Sequence, residues 1–178
     1  MKFKVVPDPP DDLGRVRAVQ RAVPLVPGTV EDCCARVVAE TPVAARDDAR
    51  EWLTFLRALG LVAETDRGYR RTRADPDPAT LAPAFRERVF AAGDVLDAVA
   101  ADGPLTADRA FAAVRDRVPE WERSRHTDWE REWRERVRRL LDWAVLFGLV
   151  ERADGTYRAV EGSPADDEDR RESEAGSG

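Results

Sequence analysis

Cysteine, histidine and lysine are all scarce in this chain of 178 residues, and each scarcity removes a class of chemistry. The two cysteines, Cys33 and Cys34, are neighbours. Adjacent thiols do not close an ordinary disulfide, and with only the distant His126 for company they lack the spacing of a metal site. Both read as small thiols buried on a helix. His126, alone between Arg125 and Thr127, reads as a surface loop residue rather than a general base. No serine has a partnered base, no carboxylate pair sits in an apolar setting, and there is no glycine-rich phosphate loop. Asp11-Asp12 and Asp47-Asp48 read as helix-start acids. Enzyme activity is therefore not expected, and neither is a cofactor or metal. Long hydrophobic runs are missing too. None reaches the roughly 18 residues of a membrane span, and there is no signal-peptide pattern, so a cytoplasmic location without membrane contact is expected.

What the chain has instead is charge, 35 acidic against 29 basic residues. The basic set is almost entirely arginine, with Lys2 and Lys4 the only lysines. The acid excess is concentrated at one end. From Glu161 to Gly178 there are seven acids and two arginines, about −5 of the formal −6. That stretch has no large apolar residue to offset the entropy of ordering, so a disordered acidic tail is expected over 162–178. The remaining body is near neutral, which neither favours nor forbids a nucleic-acid partner.

The chain also repeats itself. Leu53 to Val62, followed by Asp66, Tyr69 and Arg70, recurs without a gap as Leu141 to Val150, followed by Asp154, Tyr157 and Arg158. At this constant offset Leu53, Gly60, Leu61, Val62, Asp66, Tyr69 and Arg70 meet identical residues. The matches fall at a helix seam, a helix stop, a strand, a turn and a second strand, which defines a duplicated module. Two domains are expected, 1–74 and 79–161, joined by Asp75-Pro76-Asp77-Pro78.

In the first, Met1 to Val6 alternates like a short strand, and Asp11 to Val23 carries helical spacing. Thr29 with Asp32 opens a second helix through Glu40. A third, from Ala45 to Leu59, bears the stripe Ala49, Trp52, Leu53, Leu56 and Leu59. Gly60 stops it, and Leu61–Glu64 pairs with Tyr69–Thr72 around Asp66-Arg67-Gly68. In the second, a helix is expected from Leu81 to Ala101 and another from Thr106 to Val118. An insertion then spans Glu120 to His126. A Thr127/Glu130 capping box opens a long helix to Phe147, and Leu149–Glu151 pairs with Thr156–Val160.

Three helices and a hairpin, twice, resemble the winged helix-turn-helix family over residues 10–72 and 82–160. The motif that carries the resemblance is the junction Ala58-Leu59-Gly60-Leu61-Val62 and its counterpart Leu146-Phe147-Gly148-Leu149-Val150. The arginine-for-lysine, acid-rich composition is similar to that of proteins from salt-loving archaea. The fold class expected is mainly α with small β-hairpins, in two tandem winged helix-turn-helix domains.

The resemblance implies double-stranded DNA as partner, with the third helix in the major groove and the wing on the backbone or in the minor groove, in transcription regulation. Arg46, Arg50, Thr54 and Arg57 lie on one face of the first such helix, and Arg67, Arg70 and Arg71 on its wing. Arg134, Arg138 and Arg158 are their repeat counterparts. Acids interleave with these arginines, as on a solvated helix laced with ion pairs, which leaves open a protein-interaction scaffold instead. Trp121, Trp129 and Trp133 mark the extended helix of the second unit as a candidate partner interface, for a homodimer or another protein.

Overall fold

A computed structural model describes residues 2–160; the expected acidic tail lies outside the described residues. The chain divides between Ala92 and Gly93 into two compact units. The protein is mainly helical, with two small antiparallel hairpins. None of its described helices is long and apolar enough to cross a membrane.

The first unit opens with α1 (Gly14–Ala22), α2 (Val30–Glu40) and α3 (Arg46–Ala58). The Thr29 hydroxyl accepts from the Asp32 N–H at 3.1 Å, so α2 starts where its cap dictates. Cys33 and Cys34 are buried on α2, as their spacing suggested. The stripe of α3 is buried as well, with Ala49, Leu53, Phe55 and Leu56 sealed from water. Each such large aliphatic or aromatic side chain contributes roughly 1.5–3 kcal/mol by leaving water.

Gly60 then takes φ of 80°, a left-handed turn that a Cβ would strain, and the Leu61 N–H returns to the Leu56 carbonyl at 2.9 Å. β1 (Val62–Thr65) and β2 (Gly68–Arg71) form the hairpin, with Val62 opposite Arg71 and Thr65 opposite Gly68. The connection between α1 and α2 lies along the outer edge of β2. There Gly28 and Tyr69 exchange both backbone hydrogen bonds (2.9 and 2.8 Å), and the Arg71 N–H donates to the Pro24 carbonyl at 2.8 Å.

Two expectations for this region change. The N-terminal segment makes no strand among the described residues: Phe3 bridges to the backbone around Val89, donating to the Arg88 carbonyl and accepting from the Phe90 N–H. The same bridge splits the helix expected from Leu81 to Ala101. α4 (Pro78–Arg88) stops so that the backbone around Val89 can pair with Phe3, Ala91 adopts a positive φ of 68°, and α5 (Ala92–Asp102) begins afresh.

The second unit continues with α6 (Ala107–Val114), a 3₁₀ turn at Arg115–Arg117, α7 (Glu120–Arg125) and α8 (Trp129–Leu146). Thr106 caps α6, accepting from the Arg109 N–H at 3.2 Å. The insertion expected over 120–126 is thus a helical turn and a half. Arg123 fastens it, donating to the Val118 and Arg115 carbonyls at 3.1 and 2.6 Å.

The Thr127/Glu130 capping box does not form. Asp128 occupies the cap without a side-chain bond, because Glu130 faces Arg115 at 2.5 Å instead of folding back. α8 ends at Gly148, with φ of 74°, followed by β3 (Val150–Ala153) and β4 (Thr156–Ala159). The two hairpins keep the same register, residue for residue, under the repeat offset.

Candidate nucleic-acid interface

α3 places Arg46 and Arg50 on its solvent face, both exposed, one turn apart. Among the described residues no ion pair engages either of them. Arg50 hydrogen-bonds toward the Cys34 thiol; burial pushes that thiol up, and the arginine pulls it part of the way back. Thr54 follows on the same face, its hydroxyl donating to the Arg50 carbonyl at 3.1 Å. Asp47 and Asp48 occupy the first turn, where their charge complements the helix dipole. On the hairpin Arg67 and Arg70 are exposed, again without an ion pair among the described residues. Arg71 is half-buried and donates to the Arg21 carbonyl at 3.4 Å.

Arg57 belongs to a different environment from the residues before it. Its guanidinium pairs with Glu64 on β1 at 2.5 Å, lies over the rings of Phe3 and Tyr69 at 5.4 Å each, and donates to the Tyr69 hydroxyl at 3.4 Å. It ties helix to wing inside the unit. Of the arginines expected to contact DNA in this unit, Arg46, Arg50, Arg67 and Arg70 are therefore the exposed ones.

The counterparts on α8 and β4 are committed elsewhere. Arg134 stands 4.0 Å from Glu130 and over the Phe111 ring at 5.4 Å. Arg138 pairs with Glu135 and reaches Asp142 at 3.3 Å. Arg158 pairs with Glu151 at 2.7 Å. The hub is Asp142, which stands where the first unit has Thr54. It gathers Arg138, Arg152 at 3.6 Å, and the Tyr157 hydroxyl, which donates to it at 2.5 Å. Burial and that hydrogen bond push the Tyr157 phenol up to about 12.

The tryptophans separate too. Trp133 is buried, with Arg136 over its ring. Trp129 is half-buried, tilted against Phe111 at 6.3 Å with Arg115 and Arg123 over its ring at 5.2 and 5.4 Å. Trp121 on α7 is 58% exposed.

The sequence marks Asp142 only as one of the acids, with Glu130, Glu132 and Glu135, that interleave with the arginines of the second unit; that it gathers Arg138, Arg152 and Tyr157 is seen only in the fold. Leu25 and Val26, exposed in the α1–α2 connection, were not singled out from the sequence, since the prolines around them signal only a helix stop. Among the described residues no group of three or more metal-ligating side chains comes together.

Helices closed by a left-handed glycine and a short hairpin wing define a winged helix, a class whose general role is DNA binding and regulation. The chain belongs to the halobacterial double winged helix domain family, whose model matches residues 1–164. Comparison with curated proteins and with solved structures gives no match.

Proposed function

We propose that this protein is a transcriptional regulator built from two tandem winged helices, and that the first unit makes the contact with double-stranded DNA. The observation that supports this most is the contrast between the copies. Arg46, Arg50, Arg67 and Arg70 face solvent without carboxylate partners among the described residues, whereas Arg134, Arg138 and Arg158 are each matched to one. A phosphate approaching the first unit meets guanidinium groups that no carboxylate engages among the described residues, suited to fork-like contacts. Approaching the second, it must compete with the carboxylates already beside those arginines. In this reading Arg46, Arg50 and Thr54 probe the groove, Arg67 and Arg70 hold the backbone, and Arg57 and Arg71 position the wing.

Binding to random-sequence duplex across a salt series tests the proposal. Replacing Arg46 and Arg50 together by Ala should weaken binding with little change in the slope of log K against log salt, because Arg67 and Arg70 still hold the phosphates. The Arg134→Ala/Arg138→Ala variant should leave both nearly unchanged. Absence of binding at low salt, or equal effects of the two pairs, would refute the assignment.

The exposed indole of Trp121 favours a second role, for the second unit alone. An aromatic displayed on an added helix suits a protein partner, as a scaffold or a homodimer would require.

A further inference from the structure

The two copies differ in how they connect their first two helices. In the second unit the path from Asp102 to the cap Thr106 takes three residues, Gly103-Pro104-Leu105, and Leu105 is buried as it pairs with Tyr157. In the first, the path from Ala22 to the cap Thr29 takes six, Val23 to Gly28. Its ends are stitched to β2, Pro24 to Arg71 and Gly28 to Tyr69, so Leu25, Val26 and Pro27 bulge out opposite the single residue Arg70. Leu25 is 59% exposed and Val26 75%. The fold makes the same connection in the second unit without this bulge, so folding alone does not account for it.

The bulge is held rigidly. Pro24 and Pro27 fix the backbone on either side of the apolar pair. A Cβ on Gly68 would stand 2.0 Å from the Gly28 carbonyl oxygen, so the wing turn and the base of the bulge touch backbone to backbone. Its surroundings in the ladder are cationic. Exposed Arg70 lies opposite, exposed Arg21 precedes it on α1, and Arg71 bridges the two through the Arg21 carbonyl. The nearest acids in the chain, Glu31 and Asp32, lie beyond Thr29 in the first turn of α2. A stiff apolar protrusion bordered by arginines complements a polyanion that also offers apolar surface, and the stacked bases of a duplex beneath its phosphates are such a surface.

We propose that Leu25 and Val26 form an apolar wedge that enters the DNA minor groove alongside the wing, while Arg70 and Arg21 hold the flanking phosphates. Aliphatic side chains used in this way part a base step and bend the duplex. The proposal rests on the DNA reading above and extends it from an arginine surface to a second, uncharged contact.

The test uses the full chain and an end-labelled random-sequence duplex, with affinity followed across a salt series and bending followed by energy transfer between the ends. A Leu25→Ser/Val26→Ser variant should bind about tenfold more weakly, the value of burying roughly one aliphatic side chain, and should lose the bend. At low to moderate salt its slope should match that of the unaltered protein, because no phosphate contact is removed. The variant changes only exposed side chains, and a Leu25→Met/Val26→Ile variant should retain both affinity and bend. If the unaltered protein binds DNA and the serine variant binds and bends it equally, the wedge is refuted while the DNA assignment stands. If the unaltered protein fails to bind at low salt, the DNA assignment falls first and the wedge with it. If the serine variant instead loses self-association with DNA affinity intact, the bulge is a protein contact and the wedge is wrong.

Discussion

Tyr69 and Tyr157 are the same residue in two copies with different surroundings. Tyr69 is half-buried and receives a hydrogen bond from Arg57, whereas Tyr157 is buried and gives one to Asp142. Burial and the Asp142 carboxylate both disfavour the phenolate, which moves Tyr157 from 10.0 to about 12. A group whose native form holds its proton longer than the unfolded form contributes stability in full below the unfolded pKa. That contribution is lost as pH rises through the folded one. Stability should therefore fall between about pH 10 and 12 through this residue, on top of any general alkaline effect. Chemical denaturation at a series of pH values should show the decline, and the Tyr157→Phe variant should lack that part of it.

Asp142 turns the face of α8 inward upon itself. Arg138 is caught between Glu135 and Asp142, an arrangement of i,i+3 and i,i+4 neighbours, and Arg152 approaches from β3. Each exposed pair is worth little alone, about 0–1 kcal/mol, so the effect on stability is small. The effect on binding is larger, because every guanidinium so engaged must be released before it can hold a phosphate. The Asp142→Thr variant, which restores the residue found in the first unit, should gain DNA affinity relative to the unaltered chain. It should also lose about 1–3 kcal/mol of stability, since the Tyr157 hydroxyl loses its acceptor. Filter binding and denaturant titration on the same variant would check both.

Elements fixed by local rules were legible in the sequence. The α3 stripe, the Thr29 and Thr106 caps and the Gly60 and Gly148 stops follow from burial and backbone geometry that leave few alternatives. The break between α4 and α5 was not legible, because apolar spacing runs unbroken through Val89 and Phe90 while the cause, Phe3, lies far away in the chain. The candidate site was half legible for a similar reason. Arginines spaced along a helix look alike whether their partners are phosphates or carboxylates, and only the fold shows Arg138 paired and Arg46 open.

At the scale of the whole molecule the charge follows the same division. Residues 1–92 carry 15 basic against 14 acidic side chains, and residues 93–160 carry 12 against 14. Neither unit is a general polycation, so the DNA contact proposed above would depend on where the arginines point rather than how many there are. A fragment of residues 1–92 is long enough to bury a core of its own. It should keep most of the DNA affinity of the full chain, whereas a fragment of residues 93–178 should show little. Fluorescence anisotropy with labelled duplex, alongside circular dichroism of each fragment, measures this directly.

The bulge at Leu25 and Val26 has a consequence for the conditions under which the proposed DNA contact would work. The family is halobacterial, and salt acts in opposite directions on the two kinds of contact. At 1 M the Debye length shrinks to about 3 Å, so arginine–phosphate attraction is largely spent. Salts that are excluded from apolar surface strengthen its burial at the same time. As brine concentrates, recognition would pass from the guanidinium groups of α3 and β2 to two aliphatic side chains. Their exposure in the free protein would then be the means by which DNA is held when charge no longer suffices.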